Sequence, residues 1–313
     1  MRRFISLLAV ICLIFSLAGC QNAKPVQKTV FAMDTVMDLQ LWGDDAQLAA
    51  SEISALLTGL ESNWSAAKET SLIGKLNAGI EVSLTEDQTA LLKEAEALSA
   101  RTGGAFDPKL LSVSRAWGFY GGEHRIPSEE EISTALSDPK WDLGAALKGY
   151  AGDRAVAILE KANIDCAILN LGGNIQTYGQ KPDGTPWQIG IQNARGDTPI
   201  GILSVYGTCS VVTSGDYQRY FEEDGIRYHH IMDPKTGRPA DSGLMSVTVI
   251  CKEGLTADAL STALFVMGLE DAIAFWRENG DFQAVFVTAD GSVYATQEAG
   301  LSGCEYEVIE YEN

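Results

Sequence analysis

The sequence predicts a single α+β domain in which mixed sheets are flanked by helices. Several segments repeat apolar residues at helical spacing, whereas others are short apolar runs bounded by glycine or polar turns. The strand-like runs come partly as hairpins and do not alternate strictly with helices. This favours α+β or mixed α/β over a doubly wound sheet. No Gly-x-Gly-x-x-Gly follows a predicted strand, so a Rossmann dinucleotide site is unsupported.

Six helices are predicted from apolar periodicity and capping signals. The first covers 45–60, with apolar residues at positions 49, 53, 56, 57 and 60. Thr85 and Gln88 form a capping box for a helix through Ser99, and Gly103 follows as a stop signal. The remaining predicted helices are 129–136 capped by Ser128, 146–162, 256–267 capped by Thr256, and 270–278.

Eight strands are predicted around these helices. Their ranges are 166–171, 187–192, 201–206, 209–213, 228–232, 246–251, 283–288 and 292–296. A chain of 313 residues with 46% hydrophobic content can bury one large core or two smaller ones. Since no low-complexity linker or repeat divides the sequence, we predict one continuous domain over 29–313.

The N-terminus predicts an exported, lipid-anchored protein. Two arginines precede an apolar run at 4–17, which is too short for an ordinary membrane span. Leu17-Ala18-Gly19-Cys20 has the small residues and the cysteine of a lipobox, so 1–19 is a predicted lipoprotein signal peptide. Cys20 is then the predicted lipidation site and 20–28 a tether, with the domain outside the cytoplasm at the cell membrane. An ordinary secretory signal is the alternative.

The charge of the chain excludes some partners. Lys and Arg total 23 against 42 Asp and Glu, which gives a net charge of −19. Nucleic-acid binding needs a basic surface, so we expect no nucleic-acid partner. An anionic ligand would need a local metal ion or helix N-termini to offset the negative field.

The cysteines of the predicted domain have no metal-binding spacing. They are Cys166, Cys209, Cys251 and Cys304, and no Cys-x-x-Cys occurs among them. We expect buried small hydrophobic residues, although an exported protein can also form a disulfide whose pairing the sequence does not decide.

An oxygen-rich helix face is the first candidate site. Asp258 and Thr262 are spaced i, i+4, and Ser261 lies between them, so the three side chains share one side of the predicted helix. A carboxylate, two hydroxyls and nearby carbonyls form the all-oxygen set that suits Mg²⁺. The alternative is an aspartate that caps its own helix beside a packed threonine.

A glycine-rich helix start is the second candidate. Residues 142–153 have the sequence Asp-Leu-Gly-Ala-Ala-Leu-Lys-Gly-Tyr-Ala-Gly-Asp. Backbone N–H groups there could face a phosphate, with Lys148 adding positive charge, although a simple glycine turn is the alternative. The segment 170–174, Asn-Leu-Gly-Gly-Asn, permits close backbone approach to a ligand and equally suits a hairpin turn.

A histidine-containing segment is the third candidate. Residues 228–239, Tyr-His-His-Ile-Met-Asp-Pro-Lys-Thr-Gly-Arg-Pro, hold two of the chain's three histidines. The segment 214–220, Ser-Gly-Asp-Tyr-Gln-Arg-Tyr, lies just before it. We expect His229 to be a flanking surface residue and His124 to lie in a separate polar loop.

Together these segments resemble the FAD:protein FMN transferases, the ApbE family. The family's Asp-Leu-Gly-Ala-x-x-Lys-Gly-Tyr-x-x-Asp matches 142–153, and further family segments match 105–108, 170–174, 187–191, 214–220, 228–239 and 257–263. The sequence Ala-Met-Asp-Thr at 32–35 resembles the family's Ala-Met-Gly-Thr, with Asp34 in place of glycine. A family aromatic near position 67 is missing, and Trp64 is the candidate replacement. The resemblance spans 29 to about 297.

The resemblance implies an activity and a set of site residues. FAD would be the substrate, its FMN part would move to a Ser or Thr hydroxyl of an acceptor protein as a phosphoester, and AMP would leave. Mg²⁺ would neutralise the pyrophosphate. The implied magnesium ligands are Ala145 through its carbonyl, Asp258, Ser261 and Thr262. The implied FAD contacts are Met33, Ala105, Phe106, Asp107, Asp142, Lys148 and Met232.

The attacking hydroxyl needs a proton acceptor. We expect His230 in this role because imidazole titrates near neutrality and lies in the middle of its segment. Asp216 is the second candidate. The alternative is that His230 only orders the turn at Asp233-Pro234.

Three functions stay open at this level. The first is the flavin transferase, with an acceptor such as a subunit of an Rnf-type or sodium-pumping NADH:quinone complex at the membrane. The second is an extracytoplasmic FAD pyrophosphatase, in which water replaces the acceptor and FMN and AMP are released. The third is a flavin- or solute-binding lipoprotein without catalysis, which metal-dependent AMP release would exclude.

Overall fold

The computed structural model describes residues 24–311. The predicted signal peptide, the Cys20 lipidation site and the first part of the tether lie outside the described residues. Within residues 24–311 the chain forms eight helices: α1 Ala46–Trp64, α2 Leu72–Asn77, α3 Glu86–Arg101, α4 Leu111–Ala116, α5 Glu129–Leu136, α6 Leu147–Leu159, α7 Gly254–Met267 and α8 Leu269–Asn279.

The strands of the same residues are numbered in chain order. They are β1 Val26–Ala32, β2 Thr35–Trp42, β3 Cys166–Leu171, β4 Asn174–Tyr178, β5 Trp187–Ile191, β6 Gly201–Val205, β7 Cys209–Gly215, β8 Tyr220–Glu223, β9 Ile226–His229, β10 Met232–Asp233, β11 Arg238–Pro239, β12 Leu244–Cys251, β13 Gln283–Thr288, β14 Val293–Thr296, β15 Leu301–Ser302 and β16 Glu307–Ile309.

One large sheet organises the fold. Nine strands follow the order β1-β2-β3-β4-β7-β12-β13-β14-β16, with antiparallel pairing except between β14 and β16. Strands β5, β6 and β15 form a smaller sheet, and β8–β9 and β10–β11 are separate hairpins. The predicted mixed α+β class is confirmed.

Alternation along the strands gives the large sheet two apolar faces. On β3, Ala167 and Leu169 share a core with α1, α3 and α6, whereas Cys166 and Ile168 share a core with the three-stranded sheet. Helices α7 and α8 cover β12 and β13 on the helical side. The large sheet is therefore a middle layer, and α6 and α7 lie side by side on one of its faces.

The helices follow their local signals, with shifted ends. The capping boxes at Thr85 and Ser128 are both formed, because each cap side chain and its partner three residues later exchange hydrogen bonds with the backbone. Helix α1 continues four residues beyond its predicted end. Helix α7 begins at Gly254, so Thr256 lies inside the helix and the predicted Thr256 cap is wrong.

The strand predictions were less complete. Seven strands were not predicted: β1, β2, β4, β8, β11, β15 and β16. In β1, three consecutive polar residues at 27–29 interrupt the alternation of apolar and polar positions. Since β1 begins at Val26, the last three residues of the predicted tether belong to the sheet. The strand predicted at 228–232 is interrupted, because the backbone bends at His230 and neither His230 nor Ile231 belongs to β9 or β10.

Two further features concern the hydropathy of the helices and the state of the cysteines. No helix within residues 24–311 has the length and apolar character needed to cross a bilayer. The four cysteines of the described domain are free thiols. Burial raises the pKa of Cys166 and Cys251 to about 11, as expected for small side chains used in packing.

Candidate active site

Helix α7 presents the oxygen-rich face that the sequence predicts. Asp258 is 4% exposed and Ser261 is fully buried, whereas Thr262 is partly exposed. Asp258 Oδ2 accepts the backbone N–H of Gly149 in α6 at 2.8 Å. Within the described residues Oδ1 accepts no hydrogen bond. Asp258 therefore does not cap its own helix, and it keeps one carboxylate oxygen for a ligand.

A chain of hydroxyls orients Thr262. Ser261 Oγ donates to the Asp258 carbonyl at 2.8 Å, and Ser214 Oγ on β7 lies 2.8 Å from Ser261 Oγ and 3.1 Å from Thr262 Oγ1. Because each hydroxyl has one proton, Ser214 donates to Ser261 and Thr262 donates to Ser214. The lone pairs of Thr262 are then free for a ligand. The buried Ser261 hydroxyl supports this chain, and its role as a magnesium ligand stays a prediction.

Helices α6 and α7 cross at two glycines. A methyl group on Gly149 would collide with the Gly254 carbonyl and with Asp258 Cβ, and a methyl group on Gly254 would collide with the Gly149 carbonyl. Only glycine at both positions permits this approach of two backbones. Ala145 directly precedes Ala146, the N-cap of α6. The crossing therefore sets the position of the Ala145 carbonyl relative to Asp258.

The N-terminus of α7 is capped from α6. Asp153 accepts the backbone N–H groups of Gly254 at 2.5 Å and Leu255 at 2.8 Å. These groups have no partner inside their own helix, and a carboxylate is favourable at the positive end of the helix dipole. Burial nevertheless raises the pKa of Asp153 to about 6. Asp153 fills the capping role that the sequence had suggested for Thr256.

Asp142 is held at the start of the glycine-rich segment. Its Oδ1 accepts the hydroxyl of Tyr120 and the N–H of Gly144, each at 2.9 Å, and its own N–H donates to the Pro108 carbonyl at 2.7 Å. Burial raises the pKa of Asp142. Burial and the charge of Asp142 hold the pKa of Tyr120 well above its usual value. The carboxylate is thus fixed beside the loop that leads to Ala145.

The turn between β1 and β2 brings the predicted segments 32–35 and 170–174 together. Met33 and Asp34 occupy its centre with φ of 53° and 58°, the left-handed pair of a type I′ hairpin turn. Asp34 thus adopts the conformation that glycine would adopt without strain. Met33 N–H donates to Glu61 Oε2 at 3.2 Å. Thr35 lies against Gly172, where a methyl group would collide with it.

The other predicted FAD contacts differ in exposure. Three of them are partly exposed and stay candidates for side-chain contact: Ala105, Asp107 and Lys148. Phe106 is 1% exposed in the core that β3 shares with α1, α3 and α6. Met232 is 4% exposed in the cluster that contains Trp117. Their side chains serve the core, so a ligand contact by Phe106 or Met232 would go through the backbone.

His230 has the tautomer of a proton acceptor. Its Nδ1 lies 3.2 Å from the Arg219 carbonyl, which also accepts the His230 backbone N–H at 3.0 Å. A carbonyl only accepts, so Nδ1 carries the proton and Nε2 keeps a free lone pair. Loss of solvent, followed by the charges of Arg219 and nearby Lys148, lowers the pKa of His230 to about 3. The imidazole is neutral at physiological pH, and Lys148, in the first turn of α6, is one of the positive charges that lower its pKa.

Asp216, the second candidate base, is already paired. Its two carboxylate oxygens accept Arg195 Nη1 and Nη2 at 3.0 Å and 2.6 Å. Arg227 Nη1 lies a further 3.8 Å from Oδ1. Taking up a proton would weaken this bidentate pair. The structure therefore favours His230 over Asp216 as the base.

The expectation that His229 lies on the surface is wrong. The side chain is 7% exposed, and its Nε2 lies 3.1 Å from the Ala240 carbonyl. The segment folds back into the hairpin β10–β11 after His229, which encloses the ring. His124 is exposed, as expected for a polar loop, and stacks on Phe221 with ring centroids 5.2 Å apart.

Comparison with known proteins decides the family. The model of the ApbE family matches residues 33–286. The chain belongs to the ApbE family. It is 30% identical to the FAD:protein FMN transferase of Treponema pallidum (strain Nichols), over 93% of this chain and 92% of the relative. Its identity to the FAD:protein FMN transferase of Klebsiella pneumoniae (strain 342) is 34%, over 82% and 86% of the two chains.

Solved ApbE structures have the same fold. The crystal structure of the ApbE protein from Thermotoga maritima matches with a TM-score of 0.81 at 33% identity, over 88% of this chain and 97% of the other. The flavin transferase ApbE from Vibrio cholerae matches with a TM-score of 0.78 at 27% identity, over 88% and 97%.

The structure shows the position of Trp64, the candidate replacement for the family aromatic near position 67. Trp64 is 4% exposed at the end of α1, inside the helix-side core. Its side chain packs in the core, whereas Ala67 is exposed, so the replacement by Trp64 stays a prediction.

Sequence reasoning overlooked four residues of the site in this ApbE-family chain. Ser214 and Asp153 stood inside the quoted segments, and their place in those segments was the available signal. Tyr120 and Glu61 lie in segments without a recognisable pattern. Only the tertiary contacts reveal that Tyr120 and Glu61 hold Asp142 and Met33.

Proposed function

We propose that this chain moves the FMN part of FAD onto a Ser or Thr hydroxyl of an acceptor protein and releases AMP. The junction of α6 and α7 carries the proposal, because the Asp258 and Thr262 oxygens lie there beside the glycine-rich helix start. Relatives that are FAD:protein FMN transferases align with most of the chain. In the reaction the acceptor oxygen bonds to the phosphorus on the FMN side. The bond from that phosphorus to the bridging oxygen breaks, and AMP leaves with this oxygen.

The oxygen set fits a magnesium ion bound together with a diphosphate. Within residues 24–311 no cluster of three or more His, Cys, Asp or Glu side chains could hold a metal alone. Mg²⁺ often uses one or two carboxylates and completes its shell with water and substrate phosphate oxygens. Asp258, Thr262 and the Ala145 carbonyl would hold the ion, which would neutralise charge on the pyrophosphate and on departing AMP.

The chain supplies further groups for an anionic ligand. Lys148 lies in the first turn of α6, where backbone N–H groups lack helical partners. Asn174 is 5% exposed, and its Nδ2 has no hydrogen-bond partner within the described residues. A buried donor of this kind carries a cost that an oxygen acceptor of a bound ligand would remove. Both features support a polar, phosphate-containing ligand on this side of the sheet.

His230 takes the proton of the attacking hydroxyl. The Arg219 carbonyl holds the Nδ1–H, so Nε2 is the acceptor. The pKa of about 3 makes the free imidazole a weak base. Its function is to receive the proton as the phosphoester bond forms, when the hydroxyl itself becomes acidic.

A lipid on Cys20 anchors the domain at the extracytoplasmic face of the cell membrane. The support is the lipobox in the sequence together with the start of the sheet at Val26. Six residue steps separate Cys20 from Val26, which span at most roughly 20 Å when extended. Acceptors within reach are therefore proteins at the membrane surface, such as subunits of membrane redox complexes.

Flavin transfer can be tested directly by mass spectrometry. The chain from Gln21 onward is incubated with FAD, Mg²⁺ and a peptide or domain that carries a candidate Ser or Thr site. The expected product is a covalent FMN adduct on the acceptor, with AMP in equal amount and no adduct when EDTA is present. Free FMN and AMP without an adduct would favour the pyrophosphatase, and intact FAD would favour a binding protein.

Matched variants separate the roles of the site residues. Asp258→Ala is expected to abolish AMP release, whereas Asp271→Ala, at an exposed position in the first turn of α8, is expected to leave it unchanged. His230→Ala is expected to slow a single turnover with little change in FAD affinity. An unchanged single-turnover rate would refute the assignment of His230 as the base.

A further inference from the structure

His229 uses both of its ring nitrogens inside the protein. Nε2 lies 3.1 Å from the carbonyl of Ala240, and Nδ1 lies 3.3 Å from the backbone N–H of Ile231. The carbonyl only accepts and the N–H only donates, so Nε2 carries the proton and Nδ1 accepts. His230 has the opposite tautomer, with its proton on Nδ1. Two adjacent histidines are therefore each locked by backbone groups, in opposite senses.

The two hydrogen bonds of His229 fix the backbone that follows His230. Ile231 is the next residue after His230, and its carbonyl accepts the N–H of Ala240 at 2.9 Å. His229 thus ties both ends of the segment that contains β10 and β11. On the other side of His230, the Arg219 carbonyl holds its N–H and its ring. Contacts on both sides of His230 therefore restrict the position of its imidazole ring.

The ring of His229 also contacts the helix of the oxygen-rich face. It meets Phe265 edge-on, with centroids 5.4 Å apart and an interplanar angle of 86°. Phe265 is fully buried and lies three residues after Thr262 on α7. His229 therefore contacts α7 one turn from Thr262 while it holds the backbone of the neighbouring His230.

We propose that His229 is a positioning residue that sets the place of His230 relative to α7. This inference rests on the proposed flavin transfer and deepens it. Apolar packing alone would need neither nitrogen, because an aromatic ring of similar size could fill the same space. The two directed hydrogen bonds specify where Ile231 and Ala240 lie, and so where Nε2 of His230 points.

Three substitutions of His229 separate its contacts. His229→Gln keeps a donor near the position of Nε2, His229→Asn keeps an acceptor near the position of Nδ1, and His229→Phe keeps only the ring contact with Phe265. Each variant of the full mature chain is first compared with the wild type by circular dichroism and thermal unfolding. Single-turnover AMP release and equilibrium FAD binding are then measured separately.

A loss of positioning predicts a split between rate and binding. In His229→Phe the single-turnover rate is expected to fall about 10- to 100-fold, because small misplacements of reacting groups have effects of this size. FAD affinity is expected to change less than about twofold. The single-turnover rates of His229→Gln and His229→Asn are expected to lie between those of His229→Phe and the wild type. A wild-type rate in His229→Phe would overturn the proposal, as would equal losses of rate and FAD affinity in every variant.

Nuclear magnetic resonance of the histidine rings gives a readout that does not require activity. The chain contains three histidines, so each ¹⁵N-labelled ring can be assigned from single substitutions. In the wild type we expect protonated Nε2 in His229 and protonated Nδ1 in His230. In His229→Phe we expect His230 to exchange between tautomers. An unchanged His230 spectrum would overturn the proposal, and it would do so even if no acceptor were ever flavinylated.

Discussion

Replacing Gly149 with alanine tests whether the crossing of α6 and α7 holds the site together. Inside a helix alanine is about 1 kcal/mol more favourable than glycine, so in open space the change would stabilise the protein. At Gly149 the new methyl group would collide with the carbonyl of Gly254 and with Cβ of Asp258. A backbone carbonyl cannot rotate away, so the cost lies at or above the upper end of the usual 1–3 kcal/mol for overpacking. We expect a net loss of about 2 kcal/mol.

Gly59 provides the matched control. It lies inside α1, and a methyl group there would meet nothing within 4 Å. Gly59→Ala is expected to stabilise the protein by about 0.5–1 kcal/mol. Since 1 kcal/mol shifts Tm by about 2–4 °C in a domain of this size, the two variants should differ by roughly 5–12 °C. Thermal unfolding followed by circular dichroism, without ligand, measures this difference.

Gly149→Ala should weaken the binding of Mg²⁺ more than the binding of FAD. A shift of α7 moves Asp258 away from the Gly149 N–H and from Ala145, so the Mg²⁺ concentration for half-maximal AMP release should rise at least tenfold. FAD affinity measured without the ion should change less. If Gly149→Ala melts as high as Gly59→Ala and needs no more Mg²⁺, the crossing has room for a methyl group and the reasoning is wrong.

Three further outcomes are expected. In Asp258→Asn the side-chain oxygen can still accept the Gly149 N–H, so the Tm should stay within about 2 °C of the wild type. Mg²⁺-dependent AMP release, measured by chromatography, should be lost, and retained release would exclude Asp258 as a ligand. His230 has a folded pKa of about 3, below its unfolded value, so its contribution to stability is lost as pH falls from about 6.5 towards 3. Over this pH range, urea titrations should show that His230→Gln loses less unfolding free energy than the wild type. Asp153 has a folded pKa of about 6, above its unfolded value, so its contribution to stability falls by about 3 kcal/mol as pH rises from about 4 to 6. Asp153→Asn should flatten the dependence of unfolding free energy on pH in this range. An unchanged slope would contradict the raised pKa of Asp153.

The parts of the fold that the sequence predicted correctly are those with local causes. The capping boxes of α3 and α5 are complete within four residues, so their chemistry is visible in the sequence itself. The i, i+4 spacing of Asp258 and Thr262 places both on one helix face because helical geometry is fixed. Short apolar runs likewise identified β3, β12 and β13, which belong to the large sheet. The order of motifs along the chain was sufficient to suggest the family.

The tertiary structure alone decided which groups meet. Asp153 caps a helix that begins 101 residues later, and Ser214 bonds to Ser261 across 47 residues of sequence. His229 looks like a surface residue in the sequence, but the return of the chain at Ala240 buries it. Hydrogen bonds of this kind depend on how helices and sheets pack, and packing is a property of distant segments. Local rules in the sequence therefore determined the capped helices, the apolar strands and the chemistry of the motifs. Long-range contacts decided which side chains support the site and which face it.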